Sequence, residues 1–256
     1  AAICIQKGGG KMKLSVIIPM YNENSIVTDT AAELGAYLDD YCKTGGHTFE
    51  LIFSDDGSAD GCGNTLRDWI MAHPFVHGEI RVVTAERNYG KGHAVGLGMA
   101  SATGDYLLYT DCDLAYGVEV IGKAADAIAA AGTDILIGSR NLSADGYEGY
   151  TFLRKLASKT YIQVLCLYAG FRLSDSQCGF KCFKANVGQA LFAKNGTDGW
   201  AFDIEILLRA TQAGYSITEF PVKILRHRAS KIHLVRDSVR MLSDIRKIKR
   251  RLRAEK

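Results

Sequence analysis

The sequence predicts an α/β fold, a single domain with a mostly parallel sheet covered by helices on both faces. Short apolar runs rich in β-branched residues are typical of buried strands. They occupy residues 14–19, 49–54, 80–84, 105–110 and 134–138. Between them, apolar residues recur at the three- and four-residue steps of helices in residues 23–42, 59–73, 90–102 and 117–131. Strands and helices that alternate in this way build parallel sheets.

The composition and the termini set the expected boundaries of this domain. With 47% hydrophobic and 23% charged residues, the chain has the composition of an ordinary globular protein. We expect a vector-derived or disordered tail at residues 1–11, one domain at residues 12–232, and a basic amphipathic helix at residues 233–256. The sequence contains no apolar run of about 18 residues, so no membrane-spanning helix is predicted. Seven cysteines, an odd number, favour reduced thiols and a cytoplasmic location.

Basic residues are concentrated at the C-terminal end. The net charge of +3 is made up of +9 in residues 226–256 and −6 in the rest of the chain. This asymmetry predicts an anionic partner, which is either a membrane surface or a nucleic acid. Nucleic acid is disfavoured, because no Tyr or Phe accompanies the charge in residues 236–256 to stack on bases.

The same segment carries an apolar stripe at helical spacing, which predicts an anchor that lies in the membrane interface. Packing of the stripe on the protein's own core is the alternative for its first half. We expect Ile248 and Leu252 to stay outside the core, because they lie among many charges. The stripe consists of Val235, Val239, Leu242, Ile245, Ile248 and Leu252.

Polar side chains follow three of the predicted strands at the points where the strands end, the usual position of a ligand site in such sheets. They are residues 21–23 (YNE), 55–56 (DD) and 111–113 (DCD). Asp111 and Asp113 can point both carboxylates at Mg²⁺ or Mn²⁺ while Cys112 turns back to the core. A lone pair of this kind is as often a helix cap or a turn, but its two polar neighbours favour the metal site.

Two common nucleotide-binding loops are absent from the sequence. No dinucleotide fingerprint and no Walker loop follows the first predicted strand. The Gly90-Lys91-Gly92 stretch is therefore expected to begin a helix that lies close to other backbone.

Four segments in chain order resemble the signatures of inverting family-2 glycosyltransferases of the GT-A fold. They are residues 19–23 (PMYNE), 54–61 (SDDGSADG), 87–94 (RNYGKGHA) and 110–113 (TDCD). The resemblance implies a GT-A, Rossmann-like domain in which Asp111 and Asp113 serve the metal and the diphosphate of a nucleotide-sugar. It implies that the pocket for the base and ribose is lined by Pro19, Tyr21, Glu23 and Asp55.

The second half of the chain resembles the polyprenyl-phosphate hexosyltransferases, above all the dolichyl-phosphate glucosyltransferase and bacterial undecaprenyl-phosphate branch. Segments 138–140 (GSR), 175–181 (DSQCGFK), 200–205 (WAFDIE) and 230–231 (SK) carry this resemblance. It assigns Arg140, Arg154 and Ser158 to the phosphate of the lipid acceptor. Arg154 and Ser158 share one face of a predicted helix, and arginine forks suit phosphate oxygens. For either arginine alone, a solvated position is the alternative.

The catalytic assignments leave alternatives open. Asp175 is a candidate general base, a phosphate-orienting group or a turn residue, and we expect the base, with Asp203 and Glu205 as rivals. A phosphate acceptor is mostly dianionic at neutral pH and needs little help in losing a proton. Catalysis is then expected to depend on Asp113, Asp175, Arg140 and Arg154, with the leaving diphosphate clamped by Arg226, Arg228 and Lys231.

Together these inferences predict the inverting transfer of a hexose, glucose from UDP-glucose, to a polyprenyl phosphate. The enzyme is expected to be metal-dependent and peripheral on the cytoplasmic face of the membrane. One alternative is a family-2 glycosyltransferase that acts on a soluble glycan or protein. Another is a regulatory module that binds nucleotide-sugars without turnover. The sequence leaves the sugar, the base and the oligomeric state open.

Overall fold

A computed structural model describes residues 10–226 and 234–255 of the chain. Its strands are β1 (Lys13–Met20), β2 (Thr48–Asp55), β3 (Gly78–Thr84), β4 (Tyr106–Tyr109), β5 (Ile135–Ser139), β6 (Lys181–Lys184) and β7 (Ile217–Pro221). They form one sheet of seven strands in the order β3-β2-β1-β4-β6-β5-β7. Only β6 runs antiparallel to its neighbours β4 and β5, and the remaining pairs are parallel. The predicted mostly parallel sheet is confirmed.

Helices connect and cover the strands. They are α1 (Val27–Gly45), α2 (Cys62–Ala72), α3 (Lys91–Ser101), α4 (Glu119–Ala131), α5 (Phe152–Ala169), α6 (Ala185–Ala193), α7 (Phe202–Gln212) and α8 (Leu234–Ala254). The first four helices correspond to the four predicted ones. Each begins later than predicted, since each prediction included part of the loop before the helix. None of the helices within the described ranges is long and apolar enough to cross a membrane.

Alternate residues of the central strands pack on opposite faces of the sheet. On β1, Leu14, Val16 and Ile18 join the core beneath α1, α2 and α4. Ile17 joins the second core, beneath α3, α6 and α7. Helices therefore cover both faces, as predicted, and the carboxyl ends of β1, β2 and β4 meet at one edge. The six cysteines in the described ranges are buried and free.

Helix α8 packs its apolar stripe on the protein itself. The stripe residues Ile245, Ile248 and Leu252 are buried, as is Met241, and all four form a third core cluster with residues of α5 and α7. The prediction that Ile248 and Leu252 stay outside the core is wrong, and so is the interfacial anchor built on this stripe. Their charged neighbours point away from the stripe because successive helical residues are rotated by about 100°. The side chains of Val235 and Val239 lie outside the described part.

A buried carboxylate ties the first three strands together. Glu50 on β2 is 1% exposed and accepts hydrogen bonds from Ser15 Oγ at 2.5 Å, Thr103 N at 2.5 Å and Arg81 Nη2 at 3.2 Å. Burial alone would raise the pKa of Glu50, but these hydrogen bonds and the charge of Lys13 outweigh it and hold the pKa at about 2, against an ordinary 4.5. The ionised form of Glu50 therefore stabilises the fold.

Glu50→Gln tests this contribution through its pH dependence. Because the folded-state pKa is depressed, the stabilisation is present above the ordinary pKa and is lost as the pH falls toward the folded value. The free energy of unfolding in urea should be lower for Glu50→Gln at about pH 7, and the gap should shrink by about pH 3. A gap that is the same at both values would contradict an ionised Glu50.

Candidate active site

The loops after β1 and β2 are joined side by side at the carboxyl edge of the sheet. The amide of Asn22 donates to Ser58 Oγ at 2.9 Å, and Asn22 Oδ1 accepts from the amide of Ala59 at 3.0 Å. Asn24 N donates to Asp60 Oδ2 at 2.8 Å. Asn22 has a φ of 55°, a conformation that Asn tolerates better than most residues. These contacts fix the floor of a cleft.

The structure brings the residues of the predicted base and ribose pocket to this edge. Pro19 and Met20 pair in register with Ser54 and Asp55 on the adjacent strand. Asp55 is buried, and its Oδ1 accepts from Ser58 N at 2.9 Å. The other two predicted pocket residues follow β1. Tyr21 is 43% exposed, and the carbonyl of Glu23 accepts from the amides of Ile26 and Val27 at the start of α1.

Asp56, which the sequence marked only as part of a pair, holds the loop before α3. Its carboxylate is buried and accepts from the amides of Tyr89 at 3.2 Å and Gly90 at 2.6 Å. Gly57 follows with a φ of +69°, and a Cβ there would lie 2.4 Å from the carbonyl carbon of Arg87. Only glycine fits this crossing of two loops. The third strand end therefore joins the same cleft.

Cys112 of the Asp111–Asp113 turn is buried and packs in the core, as predicted. Its two neighbours in the chain are the aspartates of the predicted metal site. Asp113 Oδ1 accepts from the amide of Ala115 at 3.1 Å, and the side chain of Asp111 is 34% exposed. Gly179 lies so close that a Cβ there would be 2.4 Å from Asp111 Oδ2. The 175–179 segment thus forms the wall behind Asp111.

Lys91, at the start of α3, contacts this turn. Its Nζ lies 2.5 Å from Asp111 Oδ1 and 5.1 Å from the centre of the Trp200 ring. Burial alone would lower the pKa of Lys91, but the charges of Asp111 and Asp203 overcome it and raise the pKa above its ordinary value. The predicted helix start at this glycine-rich stretch is confirmed, whereas no sequence pattern assigned a role to Lys91.

The turn fits a hard divalent cation. Carboxylate oxygens are the donors that Mg²⁺ and Mn²⁺ prefer, and such ions are held by one or two carboxylates together with phosphate oxygens. The ammonium group of Lys91, which contacts Asp111, shows that this position accepts positive charge. In residues 10–226 and 234–255, no group of three or more His, Cys, Asp or Glu side chains is placed to hold a metal ion, so a cation at this turn would rely on the two aspartates and its ligand's phosphates.

Arg140 and Asp175 form a buried bidentate ion pair at the end of β5. Arg140 Nε lies 2.7 Å from Asp175 Oδ2, and Nη2 lies 2.9 Å from Oδ1. Asp175 has no exposed surface, and its backbone amide and that of Ser174 donate to Glu219 Oε1 at 3.2 and 2.8 Å. Both oxygens of Asp175 are thus engaged in orienting Arg140.

Tyr147, in the loop before α5, contacts both Arg140 and Lys159 of α5. Arg140 Cζ lies 5.5 Å and Lys159 Nζ lies 5.7 Å from the centre of the Tyr147 ring. Ser158 is the neighbour of Lys159 on α5, and Arg154 lies one turn earlier. The side chain of Arg154 is outside the described part. Tyr147 and Lys159 are site candidates that the sequence missed, because no fixed spacing links them to Arg140.

The two rivals for the general base are both engaged elsewhere. Asp203 accepts from Lys181 Nζ at 2.6 Å and from the hydroxyl of Tyr109, beneath the Asp111 turn. Glu205 has no exposed surface and pairs with Arg209 Nε at 2.9 Å. Asp203 thus supports the turn from below, and Glu205 lies in the protein interior.

Of the three residues predicted to clamp the leaving diphosphate, the structure describes only Arg226. Arg226 pairs with Glu33, with Nη1 2.8 Å from Oε2, and its amide donates to the carbonyl of Ala115 at 3.2 Å. The pKa of Arg226 is raised by its pairing with Glu33 and, less strongly, by the charge of Asp113, so the residue lies near the Asp111–Asp113 turn. Arg228 and Lys231 lie outside the described residues.

One short segment joins the two charged centres. Asp175 holds Arg140, and Gly179 contacts Asp111. Four residues of extended chain span at most about 14 Å. The Asp111–Asp113 turn and an oriented arginine fork therefore share one cleft, an arrangement that suits two phosphorylated ligands bound side by side.

The chain resembles known proteins over most of its length. The family model for glycosyl transferase family 2 matches residues 15–186. A dolichyl-phosphate beta-glucosyltransferase of Dictyostelium discoideum is 30% identical over 245 residues, 92% of this chain and 73% of that protein. The Drosophila melanogaster protein of the same name is 31% identical over 228 residues, 86% of this chain and 69% of that protein.

Solved structures support the fold. Glucosyl-3-phosphoglycerate synthase from Mycobacterium tuberculosis, in complex with Mn²⁺, UDP and glucosyl-3-phosphoglycerate, aligns with a TM-score of 0.65 at 18% identity, covering 91% of this chain and 78% of that one. A mannosyltransferase from Pyrobaculum calidifontis, in complex with GDP-Man and Mn²⁺, aligns with a TM-score of 0.56 at 20% identity, covering 83% of this chain and 55% of that one. These likenesses confirm the predicted GT-A fold.

Asp113→Asn tests the cation site. The amide oxygen can still accept from the Ala115 backbone, so the turn should keep its shape while it loses one anionic donor. Outer-shell substitutions already cost about 10- to 100-fold in metal affinity, so Mn²⁺-dependent affinity for UDP in calorimetry should fall at least about tenfold. Asp68→Asn, on the exposed side of α2, is the control and should leave binding unchanged. Equal affinity in the two variants would remove Asp113 from the site.

Proposed function

The chain belongs to glycosyltransferase family 2, and from this premise we propose that it transfers glucose from UDP-glucose to a polyprenyl phosphate with inversion. The observation that carries the proposal is the shared cleft, in which the 175–179 segment joins the Asp111 turn to Arg140. Such a cleft suits a donor diphosphate and an acceptor phosphate. The acceptor class is supported by relatives of about 30% identity that are named dolichyl-phosphate beta-glucosyltransferases.

On the donor side, Asp111 and Asp113 are the residues to hold Mg²⁺ or Mn²⁺ together with the diphosphate. When bound, the cation would offset the charge that develops on the departing UDP. Lys91 and Arg226 approach the turn from two sides and would contribute positive charge to the same end. The further members of the proposed donor site are Pro19, Tyr21, Glu23, Asp55, Arg228 and Lys231.

On the acceptor side, Arg140 would bind the lipid phosphate, with Arg154 and Ser158 on the adjacent helix. A phosphate oxygen attacks the anomeric carbon as the bond from that carbon to the UDP oxygen breaks, and UDP leaves with the electron pair. Because the phosphate monoester is mostly dianionic at neutral pH, no base is required. We therefore give Asp175 the orienting role among its three candidates, since both of its oxygens are bound by Arg140.

An assay with a short-chain prenyl phosphate tests the proposal. The purified chain should form prenyl-phosphate-glucose from UDP-glucose in the presence of Mn²⁺ or Mg²⁺, and chelation should stop the reaction. Arg140→Gln should raise the acceptor KM or lower kcat by about tenfold or more, with UDP affinity nearly unchanged, because the two phosphates occupy different sites. Transfer to a soluble oligosaccharide or protein, or binding of UDP-glucose without transfer, would favour the rival functions.

A second variant and a control make the acceptor assignment specific. Arg140→Gln leaves Asp175 buried without its cation, which can destabilise the fold, so thermal unfolding should be measured beside activity. Ser158→Ala, the milder change, should shift acceptor KM in the same direction. Arg246→Ala, on the exposed face of α8, should change neither parameter. If UDP affinity falls as far as acceptor use, Arg140 belongs to the donor site.

We also propose that the enzyme is peripheral on the cytoplasmic membrane face and that α5 contacts the lipid. With the stripe of α8 buried, large apolar side chains remain exposed on α5. Phe152 is 78%, Leu156 52% and Leu167 83% exposed, and their spacing gathers them on one side of the helix with Val164. The same helix carries Ser158 on its opposite side, so the proposed lipid contact and the proposed phosphate site share one helix but not one face.

Basic residues flank this surface. Lys249 on α8 donates to the carbonyl of Tyr168 at 2.9 Å and lies 5.6 Å from its ring centre, which brings the basic side of α8 to the end of α5. Lys247 is 73% exposed on the same helix. Each basic residue near an anionic leaflet contributes about 1 kcal/mol of attraction. An apolar face with a basic edge matches an anionic bilayer surface.

Leu167→Glu should weaken sedimentation with anionic liposomes, because the carboxylate cannot enter the interface and is repelled by the lipid charge. Met71→Glu on α2 is a matched control, since Met71 is also a helical residue and is 78% exposed. Binding of the unaltered chain should weaken with salt. Equal loss of binding in both variants, or no loss in either, would remove α5 from the membrane contact. Activity on a water-soluble prenyl phosphate should be retained in both.

A further inference from the structure

The 194–200 segment between α6 and α7 lies directly against the first turn of α3. The carbonyl of Asp198 accepts from the amides of Gly92 at 2.7 Å and His93 at 3.2 Å, which are groups that a helix leaves without internal partners. A Cβ at Gly90 would lie 2.5 Å from the Asp198 carbonyl oxygen. The position of the α3 N-terminus therefore depends on the position of this segment.

Two groups at the Asp111 turn are set by this contact. Lys91, in the first turn of α3, places its Nζ 2.5 Å from Asp111 Oδ1. Trp200, at the end of the 194–200 segment, has its ring centre 5.1 Å from the same ammonium group. A displacement of the segment would move both the lysine and the ring that it contacts.

The far side of the segment is held by α8. Arg251 Nη1 donates to the carbonyl of Gly196 at 2.9 Å, Nη2 donates to Thr197 Oγ1 at 3.0 Å, and the guanidinium pairs with Glu205. Glu205 itself accepts from the amide of Gly196 at 3.1 Å and from Thr197 Oγ1 at 2.5 Å. The guanidinium group of Arg251 and the buried carboxylate of Glu205 thus both bind Gly196 and Thr197.

Arg251 is not needed to attach α8 to the domain. Ile245, Ile248 and Leu252 already bury the apolar stripe of the helix, and Glu255 binds Arg209 with Oε2 2.6 Å from Nη1. Glu205 keeps Arg209 as a cation partner if Arg251 is removed. The geometry of Arg251 is therefore directed at the 194–200 segment and, through it, at α3.

We propose that Arg251 is a positioning residue, which acts through Glu205 and the 194–200 segment to fix Lys91 and Trp200 at Asp111. The basic C-terminal helix then has a function inside the catalytic domain, independent of any membrane. The kinetic consequence rests on the proposed glucosyltransferase function, whereas the structural consequence does not. The neighbouring Arg250 is exposed and serves as the matched control.

Amide hydrogen exchange tests the structural consequence without turnover. In Arg251→Ala, exchange at the amides of Gly92 and His93 should speed up by about tenfold or more, because the carbonyl that they donate to is no longer held. Arg250→Ala should leave that exchange unchanged. Arg251→Lys keeps the charge but loses the fork, so it should show the same effect and replaces Arg251→Ala if that variant does not fold. Unchanged exchange in a folded variant would overturn the proposal.

A double-mutant comparison tests the kinetic consequence. Arg251→Ala should lower kcat for UDP-glucose and a soluble prenyl phosphate by about tenfold, with acceptor KM nearly unchanged. If Arg251 acts through Lys91, Arg251→Ala should cause no further loss in a Lys91→Met background. Losses that multiply in the double variant would overturn the coupling. Absence of turnover in the unaltered chain would reject the glucosyltransferase function, while the exchange result would still decide the role of Arg251.

Discussion

The buried ion pair between Lys181 and Asp203 is the interaction on which the cleft depends. Lys181 has no exposed surface, and its Nζ donates to Asp203 Oδ1 at 2.6 Å and to the carbonyl of Cys178 at 2.7 Å. Asp203 also accepts from the hydroxyl of Tyr109 at the end of β4. Removal of either charge would leave its partner buried and alone, which typically costs about 3–5 kcal/mol. The pair therefore fixes the positions of β4, the 175–179 segment and the start of α7 relative to one another.

The placement of β6 makes this pair possible, and β6 is also where sequence reasoning stopped. Lys181 lies opposite Tyr109 on β4 and Ile137 on β5, so an antiparallel strand carries a lysine through the middle of the sheet. A run of four residues that begins and ends with lysine has no apolar periodicity to mark it as central. Its burial depends on Asp203, 22 residues further along the chain, and local pattern cannot report such a pairing. The first five strands needed no partner of this kind, because their β-branched runs are sufficient evidence of burial.

The C-terminal helix was misjudged for a related reason. Its stripe was correctly identified, but Ile248 and Leu252 were expected outside the core because of the charges around them. Two of those charged residues are themselves structural: Arg251 pairs with Glu205 and Lys249 with the carbonyl of Tyr168. Charge density along a sequence does not separate solvated arginines from arginines whose acceptors lie on distant elements. The inward position of Cys112 was predictable because it depends on a local pattern, the alternation of side chains that continues past the end of β4.

Asp175, the expected general base, and its rivals Asp203 and Glu205 each have a structural role instead. Asp175 orients Arg140, Asp203 supports the turn from below, and Glu205 grips the 194–200 segment. Each is buried, and each has a cation as its partner. In a transfer between two phosphates the acceptor already carries its nucleophilic charge, so proton removal is not the difficulty. The difficulty is to bring two polyanions together, which requires cations at fixed positions. Of these pairs, Asp175 with Arg140 suits that need on the acceptor side, whereas Lys181 and Arg209 lie inside the protein and their pairs with Asp203 and Glu205 hold the framework around the site.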